Sequence, residues 1–197
     1  MSALVSSVAA YTVLFVLLVA CATHLSRPGS LRRAVAVHGL LPASPVAAVV
    51  TTGEGVLGGA GLAALIVGGE RVLTASMAGS VVLFVLFGCY GWYVRSTGRG
   101  GPCGCSRGEL PMTGWVVVRA FALAGLALVG LLLAGSVLPA DRPGAALTIV
   151  LLAAATFASL LWQLPAAMYD PAHDPTPAGF VPGRTEPGRT EGGVVRR

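Results

Sequence analysis

The chain has 197 residues, 55% of them hydrophobic and only 11% charged, with a mean hydropathy of +0.80. Soluble domains carry about 25% charged residues, so an ordinary soluble domain is excluded. The net charge of +5 comes from arginines spread over loops and tail, with no lysine. Without a basic stripe or interleaved aromatic platform, nucleic acid is excluded as a partner.

A membrane helix takes about 20 mainly apolar residues, whereas a barrel strand takes about 9–11. The first block of helical length runs near Ala3–Thr23. Its Leu18-Val19-Ala20-Cys21 resembles a lipoprotein processing site, but the residues before it carry no positive charge, so an uncleaved helix is expected. Cys21 then lies near the helix end. The loop that follows holds His24, Arg27, Arg32, Arg33 and His38, and its isolated histidines are read as solvated.

The second block, Pro45–Val67, carries Glu54. An ionisable residue inside a span costs about 2.5–3.5 kcal/mol or more to insert, which makes Glu54 a candidate functional residue. Gly55 and Gly59 form a small-xxx-small face, expected to serve internal packing. The third block, Val72–Val94, carries Cys89 about one and a half turns before its end.

A polar loop comes next: Arg99-Gly100-Gly101-Pro102-Cys103-Gly104-Cys105-Ser106-Arg107. The fourth block, Thr113–Leu138, carries Arg119, and the fifth runs near Gly144–Leu164. Glu54 and Arg119 enter from the same end at similar depth and are candidates to pair; alternatively, Arg119 extends to the interface. Trp92, Tyr93, Trp115 and Trp162 cluster near that end as an aromatic belt. From Tyr169 the chain is crowded with Pro, Gly and charge, and Pro-Gly-Arg-Thr-Glu recurs at Pro182–Glu186 and Pro187–Glu191. Such a segment buries too little apolar area to offset its ordering entropy. Residues 1–168 are therefore expected to form one membrane domain, and residues 169–197 a disordered tail.

In lipid, helices of this kind satisfy their own backbone hydrogen bonds. The expected fold is all-α: a polytopic transmembrane bundle of four to five helices in the cell membrane, with the lipid bilayer as its surroundings. Arginine bias in short loops sets orientation. The first loop holds Arg27, Arg32 and Arg33, and the cysteine loop holds Arg95, Arg99 and Arg107; the alternate loops hold only Arg71 and Arg142. The first loop, the cysteine loop and the tail are thus expected in the cytoplasm.

Cys103 and Cys105 suit disulfide exchange, in which a thiolate attacks and a second thiol resolves the mixed intermediate. Arg99 and Arg107 favour the thiolate by charge. A ring closed across one residue is strained, and strained disulfides are the oxidising ones. Cys21 and Cys89 lie toward the same end and form a candidate second, embedded pair; the plainer reading makes each a small packed hydrophobe. Zinc needs about four ligands. The loop offers two cysteines and Glu109, with His24 and His38 in the other loop on that side, so no metal is expected.

At these residues the chain resembles the MauE family of methylamine utilisation, within a broader DoxX-like group with a four-helix core. Leu25-Ser26-Arg27-Pro28 through Leu40-Leu41-Pro42 is similar to that family's first loop. Glu54 and its glycines are similar to its acidic second helix. Cys103-Gly104-Cys105, with Trp115 and Arg119 downstream, resembles its Cys-Gly-Cys-Phe-Gly…Trp…Arg-Asn signature. Ser106 and Arg107 depart from the Phe-Gly, and Ala120 from the Asn. The resemblance spans the first four blocks. It implies a membrane protein that assists maturation or disulfide formation in a partner, with methylamine dehydrogenase the family's client. That client matures outside the cytoplasm, opposite to the side the arginines assign to the loop, and is not carried over.

The expected function is therefore a membrane thiol-redox protein. Its candidate catalytic residues are Cys103 and Cys105, joined by Cys21, Cys89, Glu54 and Arg119. Its partner is a thioredoxin-like or client thiol protein. Beyond the redox-active disulfide no cofactor is expected, and a quinone is left open. The alternative is a non-catalytic assembly protein whose Cys-Gly-Cys loop is a structural turn or metal clip. A carrier using Glu54 is disfavoured, because the blocks show no inverted repeat.

Overall fold

The computed structural model describes residues 2–98, 101, 112–141 and 143–168. Among them are six α-helices: α1 (Ser2–Ser26), α2 (Pro28–His38), α3 (Ala43–Val67), α4 (Glu70–Ser96), α5 (Gly114–Leu132) and α6 (Ala145–Ala167). All but α2 are long and apolar enough to cross a membrane. At 1.5 Å per residue, 25 residues of α1 or α3 rise about 37 Å, more than the roughly 30 Å hydrocarbon core.

Helix α1 is the axis of the bundle. It packs against α3, α5 and α6, while α4 closes the ring between α3 and α5. Its Tyr11, Leu14, Leu17 and Val13 are fully buried. Helix α6 is peripheral: 11% of its most apolar stretch is buried, against 61% for α1.

Close approach of α3 to α1 depends on glycine. A methyl group at Gly61 would collide with Leu14, and one at Gly58 would lie 3.0 Å from Leu18. Gly59 faces open space. The expected Gly55–Gly59 packing face is thus corrected to Gly58 and Gly61, with Gly55 against Cys21. The register follows the buried row Ala47, Glu54, Gly58, Gly61 and Leu65, which repeats at helical spacing.

Two further corrections concern the connections. The first loop contains helix α2, because Leu31, Ala34, Val35 and His38 recur at i, i+3, i+4 and i+7 and turn inward together. Pro28 opens α2 in its first turn, and Gly39 ends it at φ 64°, where its N–H bonds the carbonyls of Val35 and Ala36. Leu31 and Val35 pack on Ala47 at the start of α3.

The fourth span, expected to run to Leu138, stops at Leu132 and gives way to a single 3-10 turn, Ala134–Ser136. Pro139 disfavours helix at the preceding residue. The Leu138 backbone is instead held by α1: its N–H donates to Ser7 Oγ at 2.9 Å, and its carbonyl accepts from Tyr11 Oη at 3.2 Å. The Ala140 N–H reaches the Leu65 carbonyl at 2.8 Å. This segment therefore seals the bundle end opposite α2.

Candidate functional site

A cavity of about 390 Å³ lies beneath α2, at the end of the bundle where α1, α4 and α6 finish and α3 and α5 begin. It falls within the about 300–1,000 Å³ typical of small-molecule sites. Its walls are mostly Val, Leu and Phe side chains, and its polar groups are His24, His38, Glu54, Tyr90 and Arg119.

The first pair links α1 to α3. His24 Nδ1 lies 2.8 Å from Glu54 Oε2, and the two side chains are 2% and 3% exposed. A carboxylate only accepts, so the shared proton sits on Nδ1 when Glu54 is ionised. His24 Nε2 is buried with no hydrogen-bond partner among the described residues. A buried polar atom left unpaired is costly.

The second pair links α2 to α4. His38 Nδ1 lies 2.9 Å from Tyr90 Oη, with the rings tilted at 5.7 Å between centroids. His38 Nε2 is likewise buried and unpartnered among the described residues. Burial lowers the His38 pKa, favouring the neutral imidazole. The edge of this ring faces Gly101, where an added methyl would lie 3.1 Å from Nε2 and 3.0 Å from Val37. The Gly101 carbonyl accepts from the Met112 N–H at 3.0 Å, so Gly101 is held to the start of the α5 segment beside His38.

Cys103 and Cys105, with Glu109, lie outside the described residues, as do Arg99, Arg107, Arg142 and the tail from Tyr169. The remaining candidates are placed. Glu54 pairs with His24 rather than with Arg119. The Arg119 guanidinium instead stands 5.7 Å over the Trp162 ring, a cation–π arrangement across α5 and α6. Both Glu54 and Arg119 line the cavity.

Cys21 and Cys89 are each free. Cys21 turns toward α3, where its thiol lies 3.5 Å from the Thr51 carbonyl. Cys89 faces outward, because the adjacent Gly88 and Gly91 present the opposite face of α4 to Phe121 and Val117 of α5. The structure thus points the two thiols into different surroundings instead of pairing them. Among the described residues no three His, Cys, Asp or Glu side chains gather in a metal-holding group.

The two histidines read as solvated are in fact buried, and this is what sequence reasoning missed. For His38 the signal lay in the α2 periodicity. For His24 it lay seven residues beyond Leu17, on the buried face of a helix that runs three residues past the expected end.

The family model for methylamine utilisation protein MauE matches residues 2–133. The chain belongs to the MauE family, and with its five apolar helices it is a multi-pass membrane protein. The match spans α1 to α5 and leaves α6 outside. Neither the search of curated proteins nor that of solved structures returns a match.

Proposed function

We propose that this member of the MauE family is a membrane thiol-redox protein, in which the Cys103–Cys105 pair exchanges a disulfide with a dithiol partner and so assists that partner's maturation. A partner thiolate attacks one sulfur of the pair and forms a mixed disulfide. The second partner thiol then resolves it. The partner leaves oxidised and the pair is left as two thiols, so electrons and protons balance. The client is defined only by this chemistry, as a protein with two neighbouring thiols.

The observation that carries the reading is the Gly101–Met112 hydrogen bond beside the buried His38. Cys103 is the second residue after Gly101 in the chain. When Nδ1–H donates to Tyr90 Oη, Nε2 keeps its lone pair and is suited to take the proton from a thiol at the loop. The lowered pKa of His38 keeps that base neutral at pH 7. We place this end in the cytoplasm on the arginine bias of the two loops.

Trapping tests the exchange. In the single variants Cys103→Ser and Cys105→Ser the remaining thiol can only run the exchange in reverse, attacking the disulfide of an oxidised partner, and the variant that keeps the attacking thiol should accumulate an unresolved mixed disulfide on non-reducing gels. The double variant should capture none while still inserting. A double variant with full activity in cells would refute the redox reading. One metal ion per chain, lost in Cys103→Ser, would identify a structural clip instead.

A further inference from the structure

The cavity beneath α2 has features that thiol exchange at the loop does not use. It is apolar, yet the His24 imidazole on its wall carries a buried Nε2 atom without a partner among the described residues. Its lining includes Leu41, Val49 and Leu86, which are 46%, 71% and 60% exposed. The last two belong to spanning helices, so the rim opens toward lipid. A hydrocarbon chain entering there would leave His24 Nε2 unsatisfied. At His24 a carboxylate ligand would meet the Glu54 carboxylate held on the same ring, and the Arg119 guanidinium that could attract it stands over Trp162 instead. The ligand that fits is flat, uncharged and lipid-soluble, with carbonyl oxygens that accept hydrogen bonds and take up protons.

We infer that this cavity is a binding site for the headgroup of a membrane quinone, with His24 and Glu54 as its hydrogen-bonding and proton-donating pair. Protonated His24 donates from Nε2 to one quinone carbonyl, while its Nδ1–H is held by Glu54 at 2.8 Å. As the quinone is reduced, that proton passes to the oxygen, and one of the two protons released at the thiol pair restores the imidazolium while the other reaches the second oxygen. His38, which lines the cavity and also underlies Gly101, connects the quinone site to the loop.

The redox half of this inference rests on the proposed thiol chemistry. Two S–H bonds at Cys103 and Cys105 break and one S–S bond forms. The two electrons and two protons released convert the quinone to its quinol, with two new O–H bonds. The quinone is thus the oxidant that returns the pair to its disulfide after each exchange.

Binding and reduction are measured separately on the purified full-length chain in detergent, with decylubiquinone as probe. Trp162 lines the cavity, so binding should quench intrinsic tryptophan fluorescence to saturation. The Cys103→Ser, Cys105→Ser double variant should bind equally well. Replacing the buried pair together, His24→Leu with Glu54→Leu, removes the donors without stranding a charge and should weaken binding about tenfold. Val50→Phe, which narrows the cavity from α3, should weaken it too, and Val82→Phe on the outer surface should not. Quenching that is non-saturable, or identical in every variant, would overturn the site, as would displacement of the probe by equimolar oleate. Reduced wild-type chain should form one quinol for each thiol pair lost. Saturable binding without quinol formation would uphold the quinone site and defeat the thiol reading instead.

Discussion

Glu54 is the residue whose environment decides most. Charge and depth alone suggested Arg119 as its partner, but the two emerge toward different neighbours. Glu54 turns inward to His24 on the central helix, and Arg119 turns to Trp162 on the peripheral one. Removing one member of a buried hydrogen-bonded pair leaves the other unsatisfied and costs about 1–3 kcal/mol, more where a charge is left. Glu54→Leu alone should therefore lower thermal stability in detergent sharply. The double replacement with His24→Leu should restore most of it, a coupling that a mutant cycle measures. His38 gives a pH signature. Burial depresses its pKa, so the unfolded chain binds its proton at higher pH than the folded chain. The contribution of the neutral ring is complete above its ordinary value of about 6.5 and is lost as the pH falls through the depressed folded value. The Tm advantage of wild type over His38→Gln should accordingly shrink between about pH 7 and 5.

At the scale of elements, contacts between helices are set by small residues and by backbone groups that leave the helical pattern. Gly61→Ala forces a methyl group against Leu14, and overpacking of this kind costs about 1–3 kcal/mol. Gly59→Ala meets open space and should leave the melting temperature unchanged or slightly raised. Tyr11→Phe removes the donor to the Leu138 carbonyl. It should cost about 1 kcal/mol and loosen the segment that seals the far end, read as faster amide exchange at Val137, Leu138 and Ala140. Helix α2 shows how a polar, arginine-bearing stretch still docks. Arg32 and Arg33 point outward while Leu31, Ala34, Val35 and His38 cover the cavity.

The described residues form a bundle of five helices long and apolar enough to cross a membrane, with the polar chemistry gathered at one end. The two buried histidine pairs, the cavity and the Gly101–Met112 hydrogen bond all lie there, while the opposite end is closed by the 133–140 segment. If the arginine bias governs insertion, a membrane-impermeant maleimide should label reduced Cys103 and Cys105 from the cytoplasmic face of inverted vesicles and not from intact cells. Labelling from the outside would invert the bundle while leaving its internal contacts as described.

Span number, the all-helical class and the family were legible in the linear chain. They depend on run lengths of apolar residues and on a short thiol motif, and both are local properties. The α2 helix was legible too, had its seven-residue apolar period been weighed above its arginines. The pairing of Glu54 with His24, the separation of Cys21 from Cys89 and the cavity under α2 were not. Each depends on the rotation of one helix against another. That rotation is set by where glycines such as Gly58, Gly61 and Gly88 admit a neighbouring side chain, and by no property of a single segment.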